Sequence, residues 1–362
     1  MTSGILPDHE LERLAAAGAI IAARPFAEGQ VQPASLDLRL GPVAHRIRAS
    51  FLPGPDARVE DKLGALTLHT ISLADGAVLE TGCVYLVPLQ ESLELPEAIA
   101  AAANPKSSTG RLDVFTRVIA DYGRAFDTIP AGYRGPLYLE VSPRTFPVLV
   151  RTGSRLSQLR LRQGEALLDD AALAALHAAE TIAAPGAPVI DGGLVLSVDL
   201  TPAAPGAPVG YRAKRHTGVV DVDRVGGCAV GAFWEPIAAD PASGLVLDPD
   251  EFYILVSREA VHVPPSTAAE MVPIDPLVGE FRVHYAGFFD PGFGHAAAGG
   301  HGSRAVLEVR SREVPFILEH GQSVGRLVYE RMAAPPSRLY GTDIGSNYQA
   351  QGLKLSKHFR TA

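Results

Sequence analysis

The chain has 362 residues, a formal net charge of −8, 47% hydrophobic residues and 20% charged ones. That composition describes a globular chain long enough for about two domains, and its bulk charge does not attract nucleic acid, so any anionic ligand needs local cations. Two cysteines, Cys83 and Cys228, cannot build a disulfide framework, and no apolar run approaches the ~20 residues of a membrane span. Free buried thiols in a reducing cytoplasm are the expectation, and the N-terminus lacks the charged-then-apolar pattern of a signal peptide.

The elements are predicted in chain order from periodicity and punctuation. Pro7-Asp8 opens a short helix with Asp8 as N-cap, Leu11 and Leu14 on one face, and Gly18 as its end. From Ile20 to Leu161, short alternating or apolar runs between turns read as strands, Val84 to Leu89 and Phe146 to Val150 among them. Asp169 to His177 reads as a helix, with acidic residues at its positive end and an Ala/Leu-rich body. Ala183-Ala184-Pro185-Gly186-Ala187-Pro188 breaks it, and the domain boundary is placed there, giving units 1–184 and 185–362. A second β-rich run begins near Leu194, and Ala333-Ala334-Pro335-Pro336 releases the chain into a C-terminal tail. The abundant, scattered Gly (36) and Pro (29) fit a β-rich chain with many turns.

The chain also repeats itself. Tyr85 and Tyr253 differ by 168, and so do Pro96 and Pro264, Pro105 and Pro273, Glu140 and Glu308, Pro147 and Pro315, and Gly153 and Gly321. One register over so many landmarks reads as a tandem duplication of one β-rich domain.

Three blocks carry chemistry. Lys106-Ser107-Ser108-Thr109-Gly110-Arg111 leaves a turn at Asn104-Pro105 and concentrates hydroxyls and cations suited to a polyanion. Before it stands Pro33-Ala34-Ser35-Leu36-Asp37-Leu38-Arg39-Leu40-Gly41. After it comes Phe126-Asp127-Thr128-Ile129-Pro130-Ala131-Gly132-Tyr133-Arg134-Gly135, leading into the strand Pro136 to Val141. In that order, and with the tail Tyr340 to Gly352, these blocks resemble the trimeric dCTP deaminase / dUTPase family, most closely dCTP deaminase. The resemblance implies two dUTPase-like β-barrel or jelly-roll domains, mainly β with a few short helices.

It also implies a nucleotide site, and the two copies have diverged across it. At the 168 register Ser107 faces Asp275, Ser108 faces Pro276 and Arg111 faces Gly279, so the second copy lacks the Ser/Arg grip. The second copy has the better nucleoside hairpin, His284 to Phe293 with Asp290-Pro291-Gly292, interrupted afterwards by an insertion at 295–301. A composite site is therefore expected. Ser107 and Arg111 orient the water and the reacting centre, Glu308 is the base, and Glu140 is the reserve candidate for that role. Lys106, Ser108, Arg155, Ala286, Asp290, Tyr340, Tyr348 and Gln351 contact substrate.

Residue types supply the mechanism. Replacing the C4 amine of cytosine needs a water deprotonated as it attacks and a proton returned to ammonia, which one Glu of raised pKa can do. Zinc chemistry is not expected, because Cys83 and Cys228 lie far apart, neither sits in a Cys-x-x-Cys pair, and His295 and His301 fall in a Gly/Ala loop. Magnesium is expected on the substrate triphosphate. The leading expectation is dCTP deamination to dUTP and ammonia. The alternatives are a dUTP diphosphatase, a bifunctional deaminase–diphosphatase and a non-catalytic nucleotide-binding regulatory module. Two barrels per chain, in a family whose sites need three, imply a homo-oligomer of three chains carrying six barrels.

Overall fold

The computed structural model describes residues 3–238, 244–273, 281–283, 287–311, 313–341, 344–345 and 348–360, with backbone only at 281–283 and 344–345. The 168-residue register survives as strand pairing. In the first copy Val141, Glu140 and Leu139 pair with Tyr85, Leu86 and Val87; in the second, Val309, Glu308 and Leu307 pair with Tyr253, Ile254 and Leu255. Tyr85 Oη accepts a hydrogen bond from Glu80 N, and Tyr253 Oη accepts one from Asp248 N.

Each copy is two packed sheets. In the first, Val43–Ile47, Val84–Glu94, Arg134–Pro143 and Val114–Ala120 form one layer, and Leu36–Arg39, Arg155–Gln163 and Ile99–Pro105 form the other. The second copy repeats this with Gly210–Ala213, Phe252–Val261 and Ser303–Ser311 over Leu194–Ser197, Ser323–Arg331 and Thr267–Pro273. The molecule is mainly β, as expected. No described helix is long and apolar enough to cross a membrane.

Several local expectations change. The first helix, Asp8–Ala16, is preceded by Pro7, which holds the N-cap position. The Asp8 carboxylate instead accepts from Ser337 N and Arg338 Nε, tying the helix to the start of the tail. The later helix runs Asp170–Ala179, with Asp169 capping Ala172 N. It contributes Leu173 to the second core, and the strand after it, Ala183–Ala184, pairs with Val261 and Ala260. Helix Asp8–Ala16 and strand Ile20–Ala22 stand in the same relation to the first copy. By packing, then, the second unit begins before this helix, and the Pro-rich break at 185 lies inside it. A helix at Val59–Leu66 was not expected; it covers Ile47, Leu86 and Tyr138. Cys83 and Cys228 are free and half-buried.

The copies are not beads on a string. The core of the first takes in Phe233, Trp234, Phe252, Ile254, Val306 and Leu355 of the second. At that seam Phe146 meets Phe233, Trp234 and Phe359 at ring separations of 5.5, 5.3 and 6.1 Å, all edge-on. Phe146→Ala leaves a cavity among these rings and should cost about 3–5 kcal/mol in urea unfolding. A loss below ~1 kcal/mol would mean the seam adds little stability.

Candidate active site

A cleft of about 440 Å³ opens at the seam, lined by both copies and by the tail. The first copy supplies the Lys106 to Arg111 block, which forms one helical turn, Ser107–Gly110, and follows the end of strand Ile99–Pro105 where a turn at Asn104-Pro105 was expected. Because Asn104-Pro105 ends a strand paired with Ser157 and Gln158, the block leaves the sheet at a fixed point. The second copy supplies its hairpin and the strand Ser303–Ser311. A Cβ at Gly287 of the hairpin would stand 3.7 Å from Ser107 Oγ. Gly292 sits at φ +100°, and a Cβ there would lie 3.0 Å from Leu339 and Tyr340, so glycine is required for the tail to cross the turn.

The strand Ser303–Ser311 alternates as a pleat dictates. Ala305, Leu307 and Val309 face the second core, while Val306 and Glu308 face the seam. Glu308 is 4% exposed, and burial pushes its carboxyl up to about 8, against a downward pull from Arg111. Arg111 Nε stands 3.8 Å from Glu308 Oε1. The guanidinium is clamped by Lys354 O at 3.0 Å and by the Tyr348 ring, 4.0 Å away. Its Nε is buried and has no hydrogen-bond partner among the described residues, and neither has Gln351 Oε1 in the same wall. Such orphaned groups in a polar cleft are ready to receive a ligand.

At the other end Lys106 pairs with Asp37, and Arg155 NH1 stands 3.5 Å from the same carboxylate. Lys357 of the tail joins them; burial and the cations Lys106 and Arg155 lower its pKa. Two cations paired with one carboxylate and a third close by leave a surplus of positive charge suited to an anion. The tail is pinned over the cleft. Gln351 Nε2 donates to Arg304 O at 3.0 Å and Ser356 Oγ to Ser108 O at 2.8 Å. Buried His358, whose pKa falls to about 4, lies 2.9 Å from Val222 O. The insertion after the hairpin forms a short 3₁₀ turn, Ala296–Ala298, and Gln349 Nε2 donates to Ala298 O and Gly292 O, so the insert seats the tail.

Ten of the twelve residues selected from sequence line this cleft: Lys106, Ser107, Ser108, Arg111, Arg155, Asp290, Glu308, Tyr340, Tyr348 and Gln351. Ala286 lies outside the described residues, as do Asp275, Pro276 and Gly279. Glu140 does not line the cleft. It is 1% exposed on the equivalent face of the first copy, where Arg117 donates to it, with Nε at 2.9 Å. Arg117 also stacks 3.7 Å from the Phe126 ring, and the helix Val59–Leu66 closes that face. Beside Glu140, then, stand the first copy's own Arg117 and Phe126.

Sequence reasoning missed Lys357, Asp37, Gln158 and Arg160. Arg160 gives the clearest signal in retrospect, a cation alternating with leucines in mid-strand. It is 2% exposed, reaches across the seam to Asp290 at 3.1 Å and Glu330 at 3.2 Å, and donates to Ala269 O at 3.0 Å. The Asp290 carboxylate is thus engaged by Arg160 and Ser35, so it holds the hairpin turn as well as lining the cleft. Arg160→Leu strands two buried carboxylates and should cost about 3–5 kcal/mol. Adding Asp290→Asn and Glu330→Gln should restore stability but leave the Michaelis constant raised, as steady-state kinetics would report. Full kinetic recovery would mean Arg160 acts on stability alone.

Fold and cleft together define a doubled jelly roll with one polar site between its halves. Two family models match the chain: "2'-deoxycytidine 5'-triphosphate deaminase (DCD) N-terminal domain" over residues 2–165 and the C-terminal domain of the same enzyme over 169–359. The chain belongs to this deaminase family. It is 63% identical to the 2'-deoxycytidine 5'-triphosphate deaminase from Agrobacterium tumefaciens, whose crystal structure superposes with a TM-score of 0.88 over 92% of this chain and 100% of that one. The dCTP deaminase of Halorubrum lacusprofundi is 31% identical over 158 residues, 43% of this chain and 75% of that protein. A "dCTP deaminase, dUMP-forming" from Coprothermobacter proteolyticus is 28% identical over 156 residues, 43% of this chain and 80% of that protein.

Proposed function

We propose that this chain hydrolyses the exocyclic amine of dCTP, giving dUTP and ammonia, with Glu308 as the proton carrier. One observation carries the reading: a buried carboxyl whose pKa is raised to about 8, facing a cleft and held 3.8 Å from a guanidinium of the other copy. Water attacks C4 as Glu308 takes its proton. The tetrahedral centre collapses as Glu308 returns that proton to the leaving ammonia. Arg111, through its unengaged Nε, and Ser107 orient the water and the charge that develops. Phe288, Phe289, Met271 and Val306 supply the apolar wall for the base. Lys106, Arg155 and Lys357 take the triphosphate.

Zinc has no part in this reading; the described residues that line the cleft offer carboxylates, hydroxyls and amides and include neither His nor Cys. Magnesium fits as a passenger on the triphosphate, held by phosphate oxygens and water, because Asp37 is already engaged by two cations. Its contribution is to offset phosphate charge. As the two barrels per chain suggest, three such chains would assemble into a homo-oligomer of six barrels. We place the enzyme in the cytoplasm, where deoxynucleotides are made.

The name of the Coprothermobacter relative favours testing a second product. Incubation with dCTP should release ammonia and dUTP; stoichiometric pyrophosphate would show that this chain also makes dUMP. Glu308→Gln should bind dCTP but lose about 10²–10⁴ in turnover. Glu140→Gln should change turnover less than about threefold, because Glu140 does not line the cleft and is paired with Arg117. Equal losses would overturn the assignment of the base.

The raised pKa also sets a pH dependence. The free enzyme needs Glu308 ionised, so kcat/KM should rise with pH and level above about 8. Stability runs the other way. Folding holds the proton more tightly than the unfolded chain does, so this group's contribution is full below about 4.5 and lost as pH climbs through about 8. Glu308→Gln should flatten that loss in thermal melts between those limits. A kcat/KM limb near 4.5 would contradict the burial argument.

A further inference from the structure

A second cavity, of about 560 Å³, lies in the second copy away from the seam. Its origin emerges when the copies are laid over each other. Strand Leu36–Arg39 pairs with Arg155–Gln163 so that Arg39 faces Arg155; strand Leu194–Ser197 pairs with Ser323–Arg331 so that Ser197 faces Ser323, and 323 − 155 is the 168 of the repeat. Ser197 is thus the counterpart of Arg39, and their carboxylate partners agree. Glu91 accepts from Arg39 N at 2.8 Å and Nε at 2.7 Å. Glu259, its counterpart at 168, accepts from Ser197 N at 2.8 Å and Oγ at 2.6 Å.

In the first copy the buried Arg39 guanidinium goes further, donating to Arg24 O at 2.8 Å and Pro25 O at 2.9 Å. The counterparts of those carbonyls follow from the sheet edge. Ile20 pairs with Leu93 and Ala183 with Val261, so 183 answers to 20, and counting on by the same 163 sets Ala187 against Arg24 and Pro188 against Pro25. Ala187, Pro188, Ser197 and Glu259 all line the second cavity. Neither the Ala187 nor the Pro188 carbonyl receives a hydrogen bond from another described residue. The second copy thus keeps the carboxylate, lines the space beside it with Ala187 and Pro188, and has a serine hydroxyl where the first has a guanidinium.

We propose that this cavity binds a small guanidinium compound, its planar fork taking the place that Arg39 fills in the first copy. The Glu259 carboxylate supplies the counter-charge, and the Ala187 and Pro188 carbonyls accept the remaining N–H groups. The cavity exceeds one guanidinium side chain in volume, so the tail of the ligand has room. Exposed Arg258 stands at the rim and favours a carboxylate or other acceptor on that tail.

Calorimetric titration of the full chain tests the site with agmatine, L-arginine and putrescine as probes. Agmatine should bind once per chain and at least about tenfold tighter than putrescine, which carries ammonium in place of the fork. L-Arginine should match or exceed agmatine if Arg258 meets its carboxylate. Glu259→Gln should weaken agmatine by about 10- to 100-fold. Ser197→Arg rebuilds the first copy's side chain, so it should abolish binding while melting no lower than the parent protein. Both variants should keep full deaminase activity. No agmatine binding at about 10 mM, binding that survives Ser197→Arg, or putrescine binding as tightly as agmatine would each overturn the assignment. Should Ser197→Arg fail to fold, the Glu259→Gln titration and the agmatine-to-putrescine ratio decide the matter.

Discussion

The contact on which the active cleft depends is the one between Glu308 and Arg111. Neither residue is comfortable alone. A carboxylate buried on a strand loses its hydration, and its proton is held until about pH 8. A guanidinium with a buried, unbonded Nε has lost part of its own. At 3.8 Å they steady each other without the direct hydrogen bond that would quench both, so there is room for a water or a substrate group to complete the set. The arrangement also depends on the tail. Tyr348 and Lys354 hold the Arg111 guanidinium, and their removal would raise the local dielectric and relax the raised pKa of Glu308.

Duplication explains why this contact can exist within one chain. Each copy began with a Glu on the same strand, but the two carboxylates now lead different lives. Glu140 is neutralised by Arg117 under the helix Val59–Leu66, whereas Glu308 looks across the seam at a guanidinium of the other copy. The seam is held by rings around Phe146 and by Arg160, which ties the hairpin of the second copy to a strand of the first. The same divergence replaced Arg39 by Ser197 and left a cavity where the first copy has a side chain.

Much of this was legible in the residues. The 168-residue register reappears as strand pairing because a duplicated sheet must keep its hydrogen-bond partners even when its loops drift. That Glu308, Arg111, Tyr340, Tyr348 and Gln351 would meet in one cleft could be read in advance because local motifs carry them. What escaped was tertiary. Arg160 and Lys357 act through partners far away in sequence, and nothing around them announces those partners. The helix Val59–Leu66 has weak local signals and is stabilised by the sheet it covers. The Pro-rich break near 185 resembled a domain boundary, yet the strand just before it is already paired with Val261 and Ala260 of the second sheet. A turn-rich string cannot distinguish a linker from a loop within a barrel.

The central claim is that one nucleotide site exists per chain, shared between the copies, with the equivalent site of the first copy closed by Arg117. Calorimetric titration of dCTP into the slow Glu308→Gln chain, with magnesium present, counts sites directly. The expected result is one dCTP per 362-residue chain, abolished by Arg111→Ala and unaffected by Glu140→Gln. Two equivalent sites per chain, or a single site that survives Arg111→Ala but vanishes with Glu140→Gln, would contradict the account.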